Sequence, residues 1–266
     1  MTELAFHSLH YSPMFGSRVP LTEVLDAAAR AGFRYIGLDQ PSVEAYLRGK
    51  RDENALAADL DGRDLRCSDL AVLRVGADER QVVAEAARLG DLAAVLSAPT
   101  VVAAVVTPHT TESLADVVGR CADVVGSRVR LGLEFSAYTE LATLADATAI
   151  SAQVGWNRVG IVVDSLQLFR TGADSSEIMR LRGDQITAVQ FTDGVAAIPA
   201  DLAADSRRHR LVPGTGDLPL HDFVAAIRAA DYRGPVTAEV LSTELRQRDP
   251  FETATSIFHA MAGYWQ

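Results

Sequence analysis

The sequence predicts a single (β/α)₈ barrel, and three observations carry that prediction. The chain has 266 residues, close to the roughly 250 typical of one such barrel. Short apolar runs recur along it, each bounded by polar or glycine-rich turns and followed by a longer segment with helical periodicity. That is the sequence form of repeated βα units around a parallel sheet. The runs number eight, and no Pro/Gly/Ser linker or compositional break divides the chain, so one domain over 1–266 follows.

Taken in order, the strands are read at Leu4–Leu9, Tyr35–Leu38, Cys67–Val75, Thr100–Val106, Val129–Phe135, Arg158–Val163, Ile186–Phe191 and Val236–Val240. The first helix is read at Leu21–Ala31, where Leu21, Val24, Leu25, Ala28 and Ala31 share a face and Gly32 supplies the stop. The second unit, Val43–Arg63, is long and charged and predicts a kinked or two-part helix. Gln81–Ser97, Leu114–Val125, Glu140–Val154, Leu220–Asp231 and Phe251–Ala262 combine helix formers with an apolar stripe. Asp193–Pro219 has no clean pattern and follows the seventh strand, where barrel enzymes place substrate-covering loops. The β-branched runs, with Val101, Val102, Val105, Ile161, Val162 and Val163, are expected to fill the barrel interior.

Composition excludes several classes. A hydrophobic content of 48% and a charged content of 23% fit a packed core rather than disorder. A net charge of -10 would repel a phosphate backbone, which argues against nucleic acid as a partner. Cys67 and Cys121 lie in apolar stretches with no CxxC pair, and plain buried thiols are expected. The N-terminus lacks a signal-peptide pattern and no segment offers the ~18 uninterrupted apolar residues of a membrane span, so a cytoplasmic protein is expected.

Chemistry in such a barrel sits at the C-terminal ends of the strands, so ionisable groups interrupting an apolar strand there are informative. Glu134 ends Leu131-Gly132-Leu133-Glu134, Asp164 ends Ile161-Val162-Val163-Asp164, Gln190 lies in Val189-Gln190-Phe191, and Glu239 lies in Ala238-Glu239-Val240. Three carboxylates in one partly buried mouth would repel and take up protons unless a cation neutralises them, so their convergence implies a metal. An all-oxygen set, with Gln190 binding through its amide oxygen, favours Mg²⁺ or Mn²⁺ over Zn²⁺. The alternative is that each acid caps a strand or pairs with an arginine. His7 ends the first strand and His109 follows the fourth, and both are candidate substrate contacts. His10, Asp69, Arg74 and Ser206 are weaker candidates, whereas His209, His221 and His259 read as ordinary loop or helix residues.

The chain resembles the xylose isomerase-like TIM barrels, which include sugar-phosphate isomerases and epimerases, inosose dehydratase, 3-dehydroshikimate dehydratase and the abasic-site endonuclease. The resemblance spans essentially the whole chain. It rests on Ala31-Gly32-Phe33-Arg34-Tyr35-Ile36-Gly37-Leu38-Asp39, on Leu133-Glu134, on Val163-Asp164 with Arg170 and Gly172, on Val189-Gln190-Phe191-Thr192-Asp193, on Arg210 with Pro213-Gly214-Thr215-Gly216, and on Ala238-Glu239. It implies that Glu134, Asp164, Gln190 and Glu239 bind the metal and that Arg210 binds a substrate oxygen or carboxylate, a task suited to the guanidinium fork. One departure stands out: many relatives carry a His three residues after the strand-six aspartate, where this chain has Gln167. Glutamine is no general base, so either Gln167 orients a hydroxyl, or proton transfer falls to Glu134 and Glu239, or the activity is altered or absent.

The expected activity is therefore a metal-dependent isomerase or epimerase acting on a sugar, sugar phosphate or related polyol ketone. Glu134 and Glu239, across the mouth from one another, would be its base and acid. The runner-up is a dehydratase of a cyclic polyol ketone or a 3-dehydroshikimate-like acid at the same site; a barrel that binds a sugar without turnover is a third reading. The endonuclease lacks its extra His ligands and basic groove here. The expected partner is a small polyhydroxylated molecule, with pairing into a homodimer and no membrane association.

Overall fold

Eight parallel strands close into a barrel in sequence order, β1-β2-β3-β4-β5-β6-β7-β8, with β8 pairing back onto β1. The computed structural model describes residues 2–49 and 51–266; Lys50, inside the second helical unit, and Met1 lie outside the described residues. The chain runs β1 (Leu4–His7), α1 (Leu21–Ala31), β2 (Tyr35–Asp39), α2 (Gln40–Arg48), α3 (Glu53–Asp61), β3 (Arg66–Val75), α4 (Glu79–Leu96), β4 (Thr100–Val105), α5 (Thr111–Val124) and β5 (Arg130–Glu134). It continues with α6 (Leu144–Val154), β6 (Val159–Asp164), α7 (Ser165–Arg170), β7 (Ile186–Phe191), α8 (Leu202–Arg208), α9 (Leu220–Ala229), β8 (Val236–Ala238) and α10 (Pro250–Trp265).

Every predicted strand forms, and the second unit is indeed two helices, α2 and α3. Several ends shift for local reasons. β1 stops at His7 because Ser8–Tyr11 turns into a 3-10 helix capped by the His7 ring, and β8 stops at Ala238, before Glu239. The helix expected from Glu140 starts at Leu144, where Thr143 accepts the Asp146 N–H as its cap. α7 and α8 were absent from the sequence reading, being too short to show periodicity.

The interior assignment needs correction. Val102 and Val162, with Ala71 and Ala188, form the apolar layer inside the barrel. Val101, Val105, Ile161 and Val163 belong to the larger core between strands and helices. Side chains alternate along a strand, so a continuous β-branched run must divide between the two faces. The same alternation lifts Glu134, Asp164, Gln190 and Glu239 above the small interior layer, into the mouth.

Both cysteines are unpaired and buried, and burial raises the Cys121 thiol to about 11. No helix among the described residues is long and apolar enough to cross a membrane. At the strand starts a cavity of about 510 Å³ opens, lined by Thr100, Arg130, Thr187, Tyr232 and Thr237; it marks the opposite end of the barrel from the acids.

Candidate metal centre

β5, β6 and the end of β8 bring Glu134, Asp164 and Glu239 together so that one carboxylate oxygen from each lies within 4.8 Å of the others. Adjacent strand ends explain part of this: Glu134 is in register with Val162, and Asp164 with Gln190. Gln190 joins through its amide nitrogen, which donates to Glu239 Oε1 at 3.1 Å, leaving its own Oε1 buried without a partner.

The three acids differ in what holds them. Asp164 Oδ1 caps α7 by accepting the Gln167 N–H at 3.0 Å, and its Oδ2 accepts from Arg210 Nη1 at 2.5 Å. Glu239 takes the Gln190 amide and lies 3.1 Å from the same Arg210 nitrogen. Glu134 has no hydrogen bond among the described residues and is only half-buried. Burial and, next, the charge of Asp164 raise Glu134 to about 7. Burial likewise raises Glu239 to about 8, with Arg210 opposing and the other two acids reinforcing the shift. A cluster that strains to hold its negative charge, with an unpartnered amide oxygen beside it, is the donor set a divalent cation would complete. The residues fit that group: oxygen donors only, three of them anionic.

Arg210 is fully committed. Its Nε donates to the Ser206 carbonyl at 2.6 Å, Nη2 to Ser206 Oγ at 3.1 Å, and Nη1 faces both Asp164 and Glu239. Burial works against its charge, but Asp164 and Glu239 outweigh that and hold it more firmly protonated than an ordinary arginine. Expected as a substrate contact, it stands in this structure as a counter-ion of the acids, with every guanidinium nitrogen engaged. Gln167 is committed as well. Its Oε1 accepts from Ser136 Oγ at 2.8 Å and its Nε2 donates to Ser206 Oγ at 2.8 Å. It thus braces Ser206, and through it Arg210, rather than presenting a free amide to a substrate.

The long segment after β7 is ordered around one carboxylate. Asp193 accepts the backbone N–H groups of Gly194 and Leu218 on Oδ1 and those of Gly214 and Gly216 on Oδ2. A Cβ on Gly216 would fall 2.5 Å from Asp193 Oδ1, so only glycine permits this approach. A buried ion pair, Arg170 to Asp205 at 2.7 Å, pins α8 to α7 and so fixes Ser206 under Arg210.

His7 is fully buried. Its Nδ1 accepts the Leu9 N–H at 3.0 Å, which leaves the proton on Nε2, 3.4 Å from Asp69 Oδ1. Burial opposes protonation of the ring, yet Asp69 outweighs it and the pKa rises. The ring fits only because Gly37 opposite it lacks a side chain: a Cβ there would lie 2.4 Å from His7 Cδ2. His10 is structural, stacked on Phe6 and accepting the Val240 N–H through Nε2, and burial lowers it to about 3. His109 sits on the loop after β4 beside Thr107 Oγ1, and no contact joins it to the acids among the described residues. Ser136 and Tyr138, which no sequence motif marks, also join the network of Gln167 and Ser206. Tyr138 receives a hydrogen bond from Ser206, and its phenol is raised by burial and then by the charge of Glu134. The only signal was their place immediately after the strand-five glutamate.

A family model described as xylose isomerase-like TIM barrel matches residues 25–258. Among curated proteins, 3-dehydroshikimate dehydratase of Pseudomonas putida is 29% identical over 119 residues; the match spans 44% of this chain and 19% of the relative's length. The fold aligns over 100% of both chains, at TM-score 0.87 and 19% identity, with a structure described as IOLI protein with a binding zinc atom. It also aligns with D-allulose 3-epimerase from Methylomonas sp. in complex with D-allulose, at TM-score 0.74 and 19% identity, covering 100% of this chain and 98% of that one. With the family model matching residues 25–258, well over half of its length, the chain belongs to the xylose isomerase-like TIM barrel family.

Proposed function

We propose that this chain is a divalent-metal-dependent isomerase or epimerase of a sugar, sugar phosphate or related polyol ketone, with Glu134 and Glu239 exchanging a proton next to the carbonyl. The observation that carries the reading is the asymmetry of the cluster. Asp164 and Glu239 are tied to Arg210, while Glu134 is half-open and has no hydrogen bond among the described residues. A carboxylate held by no other group keeps an oxygen free to take a carbon-bound proton.

Glu134, Asp164, Gln190 and Glu239 would hold Mn²⁺ or Mg²⁺, which when bound supplies Lewis-acid polarisation of a carbonyl oxygen and its neighbouring hydroxyl. The chain's own part is then explicit. Glu134 has no hydrogen bond on either oxygen among the described residues, so one can face the cluster while the other reaches the substrate; Glu239 meets it beside Gln190 and Arg210. Glu134 removes the proton from the carbon beside the carbonyl. Glu239 returns a proton from its own strand's side. Return at the same carbon epimerises, and return at the neighbouring carbon isomerises. Arg210 keeps Asp164 and Glu239 oriented, and Gln167 with Ser206 keeps Arg210 in place. The small polyhydroxylated partner is part of this proposal.

The dehydratase remains the second reading, favoured by the name of the Pseudomonas putida relative. There the same carbanion would expel a β-hydroxyl, with Glu239 as the proton donor. Gln167, whose side-chain amide accepts from Ser136 and donates to Ser206, offers no acid or base to that route. Protein supplied with Mn²⁺ or Mg²⁺ in D₂O, incubated with ketoses, inososes and 3-dehydroshikimate, separates the readings. Deuterium uptake into a ketose without water loss is expected; a new conjugated chromophore from a cyclic ketone, without ketose exchange, would replace the isomerase with the dehydratase.

A further inference from the structure

β3 is the longest strand, and Arg74 is its next-to-last residue. Leu73 and Val75 are buried in the core between strands and helices, so Arg74 between them must face the other way, toward the barrel axis. The ladder gives its place. Arg74 is in register with Ala104 of β4, and Ala104 with Glu134 of β5, so the three side chains stand in one row on the lumen face. Two strand steps, about 10 Å, separate the backbones of Arg74 and Glu134. The residue between them is alanine, which leaves the gap open. At Gly76, just beyond, a Cβ would meet nothing closer than Val106 Cγ2 at 3.9 Å, so this rim is uncrowded.

Arg74 is exposed and has no hydrogen bond or ion pair among the described residues. The contrast with Arg210 is direct, because that guanidinium has spent all its nitrogens on Asp164, Glu239 and Ser206. An exposed cation placed there contributes little to stability. Its planar fork can take two oxygens of a carboxylate or phosphate side by side. We infer that Arg74 docks an anionic group of the substrate, a carboxylate or a phosphate ester, at the end remote from the reacting carbonyl. The open row over Ala104 accommodates the few carbons between the two ends. This rests on the reading that the carbonyl end lies at Glu134, and it adds that neutral ketoses are the poorer substrates.

Two readouts test it on the full chain, against the variants R74Q and R74K. In thermal unfolding at constant ionic strength, inorganic phosphate at roughly ten times its dissociation constant raises the wild-type midpoint by about 2 °C. The shift disappears in R74Q and persists in part in R74K. In D₂O exchange, the ratio of kcat/KM for a ketose phosphate over the free ketose falls at least tenfold in R74Q, chiefly through KM. A keto acid of similar length run beside them tells carboxylate from phosphate recognition. No phosphate shift in the wild type, or an equal shift in R74Q, overturns the inference even where ketose exchange is strong. A phosphate shift lost in R74Q with no exchange on any ketose upholds the anion site and removes the isomerase reading instead.

Discussion

The two halves of the barrel mouth are built differently. On the β5 to β8 side nearly every polar atom is spoken for: Asp164, Gln190, Glu239, Arg210, Gln167, Ser206, Ser136 and Tyr138 form one hydrogen-bonded body. On the β3 to β4 side Arg74 stands in solvent, and the His109 ring has one side-chain hydrogen bond among the described residues, with Thr107. The difference separates two tasks. A cluster of like charges must be held rigidly, because each buried group left unpaired is costly. Recognition of a substrate's far end needs donors that are still free. Glu134 stands at the seam, belonging to the rigid side by position and to the open side by its lack of partners.

The largest effect should come from breaking the seam itself. Glu134→Gln keeps the shape and removes the base, so metal-dependent exchange into a ketose should fall by about 10³-fold, read by mass spectrometry against wild type. Loss of less than tenfold would assign proton abstraction elsewhere.

Next in size is Asp193→Ala, which strips one buried carboxylate from four backbone donors. Charge-assisted hydrogen bonds of this kind suggest a cost of about 3 kcal/mol, measurable by urea unfolding. Amides of Gly194, Gly214, Gly216 and Leu218 should lose protection in hydrogen exchange, and unchanged protection would refute the idea that this carboxylate orders the rigid side.

Gln167→Ala should be milder. It frees Ser206 and Ser136 without touching the acids, and about 1 kcal/mol of stability and roughly tenfold in kcat are expected to go. An unchanged kcat would show that Arg210 needs no brace.

The smallest effect is a drift with pH. Glu134 and Glu239 are raised above an unfolded glutamate, so the native state binds more protons between about pH 4.5 and 8. Their contribution is therefore complete at low pH and is lost as pH rises through 7 to 8. His10, lowered to about 3, has the opposite sign and loses its contribution as pH falls below about 6.5. Between about pH 4.5 and 8 the two glutamates outweigh His10, so the metal-free unfolding midpoint should be highest near pH 4.5 to 5 and fall toward pH 8, and Mn²⁺ should flatten that fall. A midpoint rising steadily to pH 9 without metal would contradict the strained cluster.

The same contrast explains what could be seen in the sequence. Strand-end acids announce themselves by breaking an apolar run, so Glu134, Asp164 and Glu239 were legible, as were all eight strands. The state of Arg210 and Gln167 was not, because it depends on Ser206 and Ser136, which arrive from segments 39 and 31 residues distant from Gln167. Which valines face the interior was hidden for another reason: a run such as Gly160-Ile161-Val162-Val163 is apolar on both faces, and only the ladder register divides it. Arg74 reads in the sequence only as a weak candidate contact; its place in the mouth needs the row through Ala104 to Glu134.

The most direct test of the account is a calorimetric Mn²⁺ titration of wild type and Glu134→Gln at pH 6.5 and 8.5, in buffers of different ionisation enthalpy. The account predicts one saturable site per chain, tighter at pH 8.5, with proton release at pH 6.5 that shrinks in the variant. Absence of saturable binding, or identical affinity and proton release in both proteins, would contradict the metal centre and leave Arg210 as the cluster's sole cation.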